Sequence, residues 1–365
     1  VDSLVTDEKL SEMSDKIVAT IEEKYPKDHT VSVEEIQDLV ELTLIDENYY
    51  REVKSFILYR AKHNMDRKVM SDFEEYIADK EILDILTKVQ NEFDNQRYPI
   101  DSLYFKFESF TKANMSDEEL LSALTRAASE LTSKETPDWE IIAARFLMHE
   151  IDLEIKRNEE RFDIVDFKSK IDYLTNAGLY GEYIKENYSS DDIDELEEYL
   201  KKDRDDLFTY SGLDLVKKRY LIRTFTGDII ESVQEMFMGI AIHLAIPEKD
   251  RVAFAKRLYD ILSNLKATMA TPTMTNARKP FNQLSSCFID TVPDTLKGIY
   301  RSITNFAEVS KHGGGMGLYF GKVRANGSDI RGFEGVAGGV IRWIRLANDT
   351  AVAVDQLGVR QGADA

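Results

Sequence analysis

The only cysteine of the 365-residue chain, Cys287, stands in the stretch QLSSCFID, directly after two serines. A thiol can carry out two-electron redox chemistry when a second thiol lies within disulfide distance. The sequence contains no second cysteine, so Cys287 can form no disulfide within it. Free cysteines are more often small buried residues, and composition alone favours a core position. The residues by themselves leave both interpretations open.

Basic residues and glycines are interleaved in the stretch GKVRANGSDIRG, which carries Lys322, Arg324 and Arg331. Cationic side chains beside exposed backbone N–H groups suit a polyphosphate ligand. The stretch lacks the spacing of a P-loop and of the G-x-G-x-x-G motif, so no standard nucleotide motif identifies the ligand. A basic hairpin on the surface is the alternative.

The histidines give no indication of a metal site. They stand at positions 29, 63, 149, 243 and 312 and form no H-x-x-x-H pair. No cluster of cysteines accompanies them, so the sequence predicts no metal in this chain.

Charge and glycine are distributed unevenly. The net charge of −20 argues against a nucleic-acid-binding protein. Between Asn276 and Ala365, however, 11 Lys and Arg residues outnumber 8 Asp and Glu residues. In addition, 12 of the 18 glycines lie between Gly313 and Gly362. A small anionic ligand is therefore expected in the C-terminal quarter.

Length and composition also bound the class of protein. A chain of 365 residues predicts two or three domains. The sequence shows neither an apolar run of about 18 residues nor a signal peptide, so no membrane association is expected. A single cysteine indicates a reducing compartment, and the expected location is the cytoplasm. Because the sequence starts at valine and stops after a glycine-rich stretch, we expect a fragment of a longer protein.

The first 260 residues are expected to be mostly helical. Ser32 followed by Glu35 predicts a capping box at the start of an apolar-striped helix, and 49–63 predicts a second amphipathic helix. The same signature returns at Ser116 and Glu119 and again leads into a second helix. This pattern indicates a weak internal repeat. Unrelated capped helix pairs are the alternative.

The pattern changes along the rest of the chain. Residues 189–206 are strongly acidic, typical of a solvated helix face. Two apolar helices are predicted within 229–264, with Pro247 ending the first. After residue 268 come a strand at SSCFI, a helix, a strand at GLYF, a glycine-rich basic loop and a last helix. Strands that alternate with helices predict an α/β domain with a buried sheet.

Several strings in the C-terminal part occur in a definite order. They are ATPTMTNAR, QLSSCF, KHGGGMGLYFGKVRANGSDIRG and DQLGVRQGA. Together they resemble the large, catalytic subunit of class I ribonucleotide reductase. TPDWEIIAARFLMHEI and DRDDLFTYSGLDLVKKRYLI resemble the helical region of that family, and VSVEEIQDLVELTLIDENYYREVKSFILYRAKH resembles the C-terminal half of its ATP-cone.

The resemblance implies an α/β fold in which a mostly helical N-terminal region precedes the start of a ten-stranded α/β barrel, here truncated. Four segments follow from it. They are a partial ATP-cone at 1–64, a second, degenerate cone-like repeat at 65–150, a helical reductase domain at 151–267 and the beginning of the barrel at 268–365. The basic K-R-D-G stretch that opens a cone is absent before both segments. The first is therefore expected to be half a cone, and the second a degenerate copy that binds no nucleotide.

The reaction of the family replaces the 2′-hydroxyl of a ribonucleoside diphosphate with hydrogen. By resemblance, Cys287 is the first redox-active cysteine, which donates electrons and ends in a disulfide. Ser286 resembles the residue beside the substrate ribose, and Thr271 resembles a ligand of the substrate phosphates. Gly315 is assigned to the substrate site in the same way.

Effector binding is implied by the same strings. Asp294, Arg324 and Arg331 resemble the specificity-site residues that bind a deoxynucleotide effector. Arg360 resembles the basic contact of the loop that links the effector to substrate choice. The implied ligands are ATP or dATP and deoxynucleoside triphosphate effectors. The implied partners are a small radical-generating subunit with its metal cofactor, thioredoxin or glutaredoxin, and a second copy in a homodimer.

The resemblance also has gaps. The finger-loop cysteine of the family, the partner of Cys287 and the shuttle cysteines are absent from this sequence, so the chain alone is expected to be inactive. A non-enzymatic nucleotide-sensing or scaffold protein that retains only the effector site is the alternative. A glycyl-radical or cobalamin-dependent relative would share the barrel. The cone and the helical region favour the class with a separate radical-generating subunit.

Overall fold

The computed structural model describes residues 6–26, 30–94, 96–112 and 114–354 of the chain. The chain divides into two compact units, Val1–Leu131 and Thr132–Ala365, and helices dominate both. No helix in the described part of the chain has the length and hydrophobicity needed to cross a membrane.

The first unit is helical throughout its described part. Its elements are α1 Asp7–Lys24, α2 Val33–Asp46, α3 Tyr50–Tyr76, α4 Lys80–Glu92, α5 Ile100–Glu108 and α6 Asp117–Glu130. Helix α3 is longer than the predicted 49–63 because neither glycine nor proline interrupts its sequence before residue 76. The end of α3 is fixed by packing, since the buried Phe73 ring lies 5.5 Å from the Phe107 ring of α5.

Both predicted capping boxes are present. At the start of α2, the Ser32 hydroxyl accepts a hydrogen bond from the Glu35 N–H, and the Glu35 carboxylate accepts one from the Ser32 N–H. Ser116 and Glu119 form the same arrangement at α6. Each box satisfies two N–H groups at the helix start that would otherwise lack a partner. The two helix starts read from the sequence are confirmed.

The second unit begins with helices and ends with two strands and their flanking helices. Its elements are α7 Trp139–Phe162, α8 Phe167–Asn176, α9 Tyr183–Asn187, α10 Ser190–Glu198, a 3₁₀ helix Lys202–Leu207, α11 Tyr210–Arg219, α12 Val233–Ala245, α13 Arg251–Ser263, α14 Thr271–Asn276, β1 Cys287–Thr291, α15 Leu296–Lys311, β2 Gly315–Tyr319 and α16 Ile341–Val354.

Helix α12 lies at the centre of the helical part of this unit. Every residue from Val233 to Ile242 is buried, as expected of a helix that is surrounded by others. Ser232 and Glu235 form a capping box at its start, and Pro247 follows its end as predicted. The apolar run therefore forms the helix that the other helices of this region pack around.

The acidic stretch 189–206 is only partly the solvated helix face that its composition predicted. Helix α10 exposes most of its acidic residues, but Asp205 in the 3₁₀ helix is buried. Its carboxylate accepts a hydrogen bond from the Gln234 side chain at 2.6 Å and lies 2.7 Å from the Lys202 ammonium. The prediction was wrong for Asp205, because these two partners satisfy the buried charge.

Strands β1 and β2 pair in parallel, and α15 connects them. Parallel neighbours need such a crossover. The register places Cys287 opposite Gly315 and Thr291 opposite Tyr319. Helices α15 and α16 and the strands share a hydrophobic cluster that includes the fully buried Phe306. A helical region followed by the first parallel strands of an α/β domain confirms the predicted fold class.

Candidate functional site

Cys287, Ser286 and Gly315 lie together where the two strands begin. The Gly315 N–H donates to the Ser286 carbonyl oxygen at 2.8 Å, and the Ser286 hydroxyl lies 3.3 Å from the Cys287 sulfur. The Cys287 side chain is exposed. The interpretation as a buried core residue is therefore wrong, and the thiol is open to a reaction partner.

Close packing shapes the glycine turn that precedes β2. A Cβ atom on Gly314 would stand 2.7 Å from Val309 Cγ1 and 2.8 Å from Phe288 Cε2. Any larger residue would push the turn away from β1. The glycine therefore allows the backbone of Gly315 to reach Ser286 and complete the strand end.

Thr271 begins a short helix, α14. This helix is fixed to the segment that leads into β1. The Thr273 hydroxyl donates to the Leu284 carbonyl oxygen at 3.2 Å, and the Asn276 side-chain amide donates to the Gln283 carbonyl oxygen at 3.0 Å. Thr271 thus belongs to a segment that is docked onto the approach to the strand end.

A buried arginine holds the chain directly after α14. Arg278 and Glu231 are both fully buried and form a two-pronged ion pair. The Glu231 carboxylate also accepts hydrogen bonds from the Tyr180 hydroxyl at 2.6 Å and the Ile222 N–H at 2.9 Å. Arg278 further donates to two backbone carbonyl oxygens at 2.7 Å. A buried ion pair is tolerated only when hydrogen bonds satisfy both ions in this way.

Helix α12 makes room for this ion pair at Gly239. A Cβ atom there would stand 2.8 Å from the Arg278 Cδ atom and 3.1 Å from the Tyr180 hydroxyl. The glycine lets the arginine lie across the central helix. The segment after α14 is therefore anchored in the core of the helical region.

Tyr183 holds the same segment from a second side. Its hydroxyl lies 2.9 Å from the Ala277 carbonyl oxygen, 3.1 Å from that of Lys279 and 3.0 Å from His243 Nδ1. Burial raises the pKa of Tyr183 to about 12 and lowers the pKa of His243. At neutral pH the hydroxyl is therefore protonated and donates to the backbone, beside a neutral imidazole.

The three effector residues predicted from the sequence within the described range line one cavity of about 860 Å³. Asp294, Arg324 and Arg331 supply charge, and Ile299 and Trp343 supply apolar walls. The volume lies in the range of small-molecule sites. Guanidinium groups suit phosphates, and the apolar walls suit a base and a sugar. The arrangement fits a nucleotide.

Asp294 and Arg324 are joined directly in this cavity. The Arg324 Nε group donates to one carboxylate oxygen of Asp294 at 2.8 Å, and the Arg324 backbone N–H donates to the other at 3.2 Å. A terminal nitrogen of Arg324 donates to the Asp329 carbonyl oxygen at 3.0 Å. The Arg324 and Asp294 side chains stay 38% and 32% exposed. Both can therefore still bind a ligand.

Arg331 stands in a two-residue turn between Ile330 and Phe333, whose backbones exchange two hydrogen bonds of 3.0 Å. Arg331 and Gly332 have φ angles of 54° and 81°. Two successive positive φ angles are typical of a tight hairpin turn. The left-handed conformation is unfavourable for arginine, and such strain is concentrated at functional sites. The turn places Arg331 in the cavity wall.

Arg360 and Lys322 are two further basic residues singled out from the sequence. Arg360 lies outside the described residues. Lys322 is exposed and does not belong to the cavity lining in the described part of the chain. The charge contributed by GKVRANGSDIRG thus comes from its two arginines.

Sequence reasoning missed two arginines that the structure brings into these sites. Arg278 anchors the segment after α14, and Arg342 lines the cavity from the first turn of α16. No clear signal in the sequence pointed to Arg278, which stands beside Lys279. The signal for Arg342 was its position shortly after the Gly338–Gly339 pair.

Three family models match this chain. The model described as "Ribonucleotide reductase, barrel domain" matches residues 285–365, which include both strands and the cavity. The model "Ribonucleotide reductase, all-alpha domain" matches residues 206–282, which include α12 and Arg278. The model "ATP cone domain" matches residues 3–65.

The chain is also similar to curated proteins named ribonucleoside-diphosphate reductase subunit alpha. It is 54% identical to the protein of Treponema pallidum over 91% of this chain and 40% of the relative. It is 36% identical to that of Helicobacter pylori over 67% of this chain and 30% of the relative. It is 33% identical to that of Chlamydia pneumoniae over 97% of this chain and 36% of the relative. The chain thus spans at most about two fifths of these relatives.

The chain belongs to the family of ribonucleotide reductase large subunits, and the predicted resemblance is confirmed. The ATP cone match implies nucleotide-effector binding in the N-terminal segment. Within the described residues, no group of three or more His, Cys, Asp or Glu side chains could hold a metal ion.

Proposed function

We propose that this chain works as part of a ribonucleoside-diphosphate reductase large subunit, under the control of nucleotide effectors. One observation carries the proposal. Strand β1 begins at the exposed thiol of Cys287, and shortly beyond its other end Asp294 enters the cationic cavity. An exposed thiol thus lies at one end of β1, and a nucleotide-sized cavity begins just beyond the other end.

The chemistry requires two electrons. A C–OH bond of the ribose and two thiols are converted into a C–H bond, a disulfide and one molecule of water. Cys287 supplies one thiol, and a cysteine elsewhere in the complete protein supplies the other. Ser286 lies beside the ribose, and Thr271 and Gly315 bind the substrate from the docked α14 segment and the glycine turn.

The effector is a deoxynucleoside triphosphate. Asp294 binds its ribose, Arg324 and Arg331 bind its phosphates, and Arg360 links the effector to substrate choice. Charge-assisted hydrogen bonds from arginine are strong enough to hold a phosphate chain in an otherwise acidic protein. ATP or dATP acts through the cone.

The domain organisation and partners follow from the same proposal. The chain comprises a partial cone at 1–64, a degenerate cone-like repeat at 65–150, a helical domain at 151–267 and the first part of the barrel at 268–365. It acts in the cytoplasm as a homodimer with a small radical-generating subunit that carries the metal cofactor. Thioredoxin or glutaredoxin restores the thiols, and neither nucleic acid nor a membrane is a partner.

The test uses a complete large subunit that contains this sequence, mixed with its radical-generating subunit, a ribonucleoside diphosphate and an effector. After a single turnover, peptide mapping should find Cys287 in a disulfide with a second cysteine. The variant Cys287→Ser should fold and bind effector normally, because the two side chains are similar in size, but should reduce no substrate.

Two results would contradict the proposal in different ways. Normal turnover of Cys287→Ser with the usual reductant would remove the redox role of this residue. A complete protein that binds effector but reduces no ribonucleotide would support the alternative of a nucleotide-sensing protein without reductase activity.

A further inference from the structure

The cavity holds more positive charge than its acidic residue can neutralise. Among the described residues that line it, Asp294 is the only carboxylate, whereas Arg324, Arg331 and Arg342 are all cationic. Asp294 is already joined to Arg324 by two hydrogen bonds. Within the described part of the chain, neither Arg331 nor Arg342 forms an ion pair. The cavity therefore concentrates positive charge in a chain whose net charge is −20.

Arg342 lines the cavity from the start of α16. It lies in the first turn of α16, next to Trp343, which also lines the cavity. Its guanidinium group folds back over Gly338, where a Cβ atom would stand 3.5 Å from it. The charged end of the side chain is thus kept beside the cavity wall.

We propose that Arg342 binds the phosphate chain of the deoxynucleoside triphosphate in this cavity, an inference that rests on the proposed effector function. Three guanidinium groups around one cavity repel one another, and a bound polyanion relieves that repulsion. Guanidinium also binds two phosphate oxygens at once, which an ammonium group cannot do with the same geometry. Arg342 therefore adds a contact that is independent of Asp294.

The effect of Arg342 should depend on the number of phosphates. Calorimetric titration of the complete large subunit that contains this sequence with dGTP and dTTP, which are not assigned to the cone, identifies the nucleotide that binds this cavity more tightly. The same base is then tested as the triphosphate, diphosphate, monophosphate and nucleoside. Arg342→Ala should weaken triphosphate binding about 10- to 150-fold and leave nucleoside binding unchanged. Arg342→Lys should restore part of the affinity.

Arg345 provides the matched control. It is an exposed arginine on the same helix, has the same charge and does not line the cavity. Arg345→Ala should change triphosphate affinity by less than about twofold at 0.15 M salt, because Arg345 does not line the cavity and salt weakens the field of an exposed charge. The fluorescence of Trp343 should change on binding in the wild type and in both alanine variants, since this residue lines the cavity.

The outcomes separate this inference from the proposed function. If the wild type binds neither dGTP nor dTTP, the assignment of this cavity as an effector site is wrong. If the wild type binds and Arg324→Ala weakens binding while Arg342→Ala does not, only the role of Arg342 is wrong. Equal losses for triphosphate and nucleoside in Arg342→Ala would also overturn it, because Arg342 would then be shaping the wall rather than binding phosphate.

Discussion

Two arginine–carboxylate pairs of the second unit use the same chemical groups for different purposes. Arg278 and Glu231 are completely buried, whereas Arg324 and Asp294 are 38% and 32% exposed. Arg278 donates hydrogen bonds through all three of its nitrogens. Arg324 and Asp294 instead face a cavity that contains two further cations. Arg278 and Glu231 have their hydrogen-bond partners within the protein, whereas Arg324 and Asp294 can also bind a ligand.

This difference in burial indicates that the stability of the fold depends on the Arg278–Glu231 pair. Removing one partner of a buried pair leaves an uncompensated charge in the core. Removing one partner of a half-exposed pair leaves a charge that water can solvate, so the loss of stability is small. Conversely, only the half-exposed pair can contact a nucleotide. Stability and binding measurements should therefore separate the two sites.

The largest effect is expected from Arg278→Met, which leaves Glu231 buried without its cation. The free energy of unfolding should fall by about 3–5 kcal/mol. Urea denaturation followed by circular dichroism measures it. Arg219→Ala, at an exposed arginine on α11, should change stability by less than about 0.5 kcal/mol. A loss below about 1 kcal/mol in Arg278→Met would place this pair in the same class as a surface pair.

The next effect concerns binding at the other pair. Arg324→Ala should weaken effector binding about 10- to 150-fold, since it removes about 1.5–3 kcal/mol of charge-assisted hydrogen bonding. Its free energy of unfolding should fall by at most about 1 kcal/mol. Calorimetry and denaturation on the same sample test both halves. Unchanged affinity would remove Arg324 from the site.

Arg331→Gly should weaken effector binding without lowering the stability of the fold. Glycine adopts the positive φ of 54° without strain, so the free energy of unfolding should stay constant or rise by up to about 1 kcal/mol. Effector affinity should fall because the guanidinium group is lost. Arg331→Ala is the control, since it removes the charge but keeps the strain. Equal stability of the two variants would show that the turn relaxes around either residue.

The smallest effect is a pH dependence near the buried pair. Burial lowers the pKa of His243 in the folded chain relative to its unfolded value of about 6.5. Stability from the neutral imidazole is therefore complete above about pH 6.5 and is lost as the pH falls through the folded pKa. His243→Asn keeps a donor near Tyr183 but does not titrate. Its unfolding free energy should decline less than that of the wild type between about pH 7 and pH 5; parallel declines would exclude His243 as the cause.

The parts of the fold that depend on local sequence were predictable. Ser32 with Glu35 and Ser116 with Glu119 define helix starts within four residues, and the strand–helix–strand order follows from short-range patterns. The two-pronged pair was not predictable in this way, because Arg278 and Glu231 lie 47 positions apart and no local pattern links them. Their contact exists only once the helices have packed.

The candidate site was predictable to a different degree. Asp294, Arg324 and Arg331 were assigned through the resemblance, and the structure places them in one cavity. Arg342 belongs to no string that carried the resemblance, so only the packing of α16 beside the basic loop brings it to this wall. The exposure of Cys287 likewise depends on how β1 sits in the sheet rather than on its neighbours in sequence.

Strand β1 is extended and paired along its length. The number of residues between Cys287 and Asp294 therefore limits how far the thiol lies from the cavity. Seven positions separate Cys287 from Asp294, which at about 3.3 Å per residue allows at most about 23 Å between them. Adding or deleting one residue inside the strand would turn the thiol to the opposite face of the sheet while Arg324 still held Asp294. Insertions should therefore be tolerated in surface loops elsewhere in the chain, whereas the stretch from Cys287 to Asp294 should keep a constant length among functional relatives.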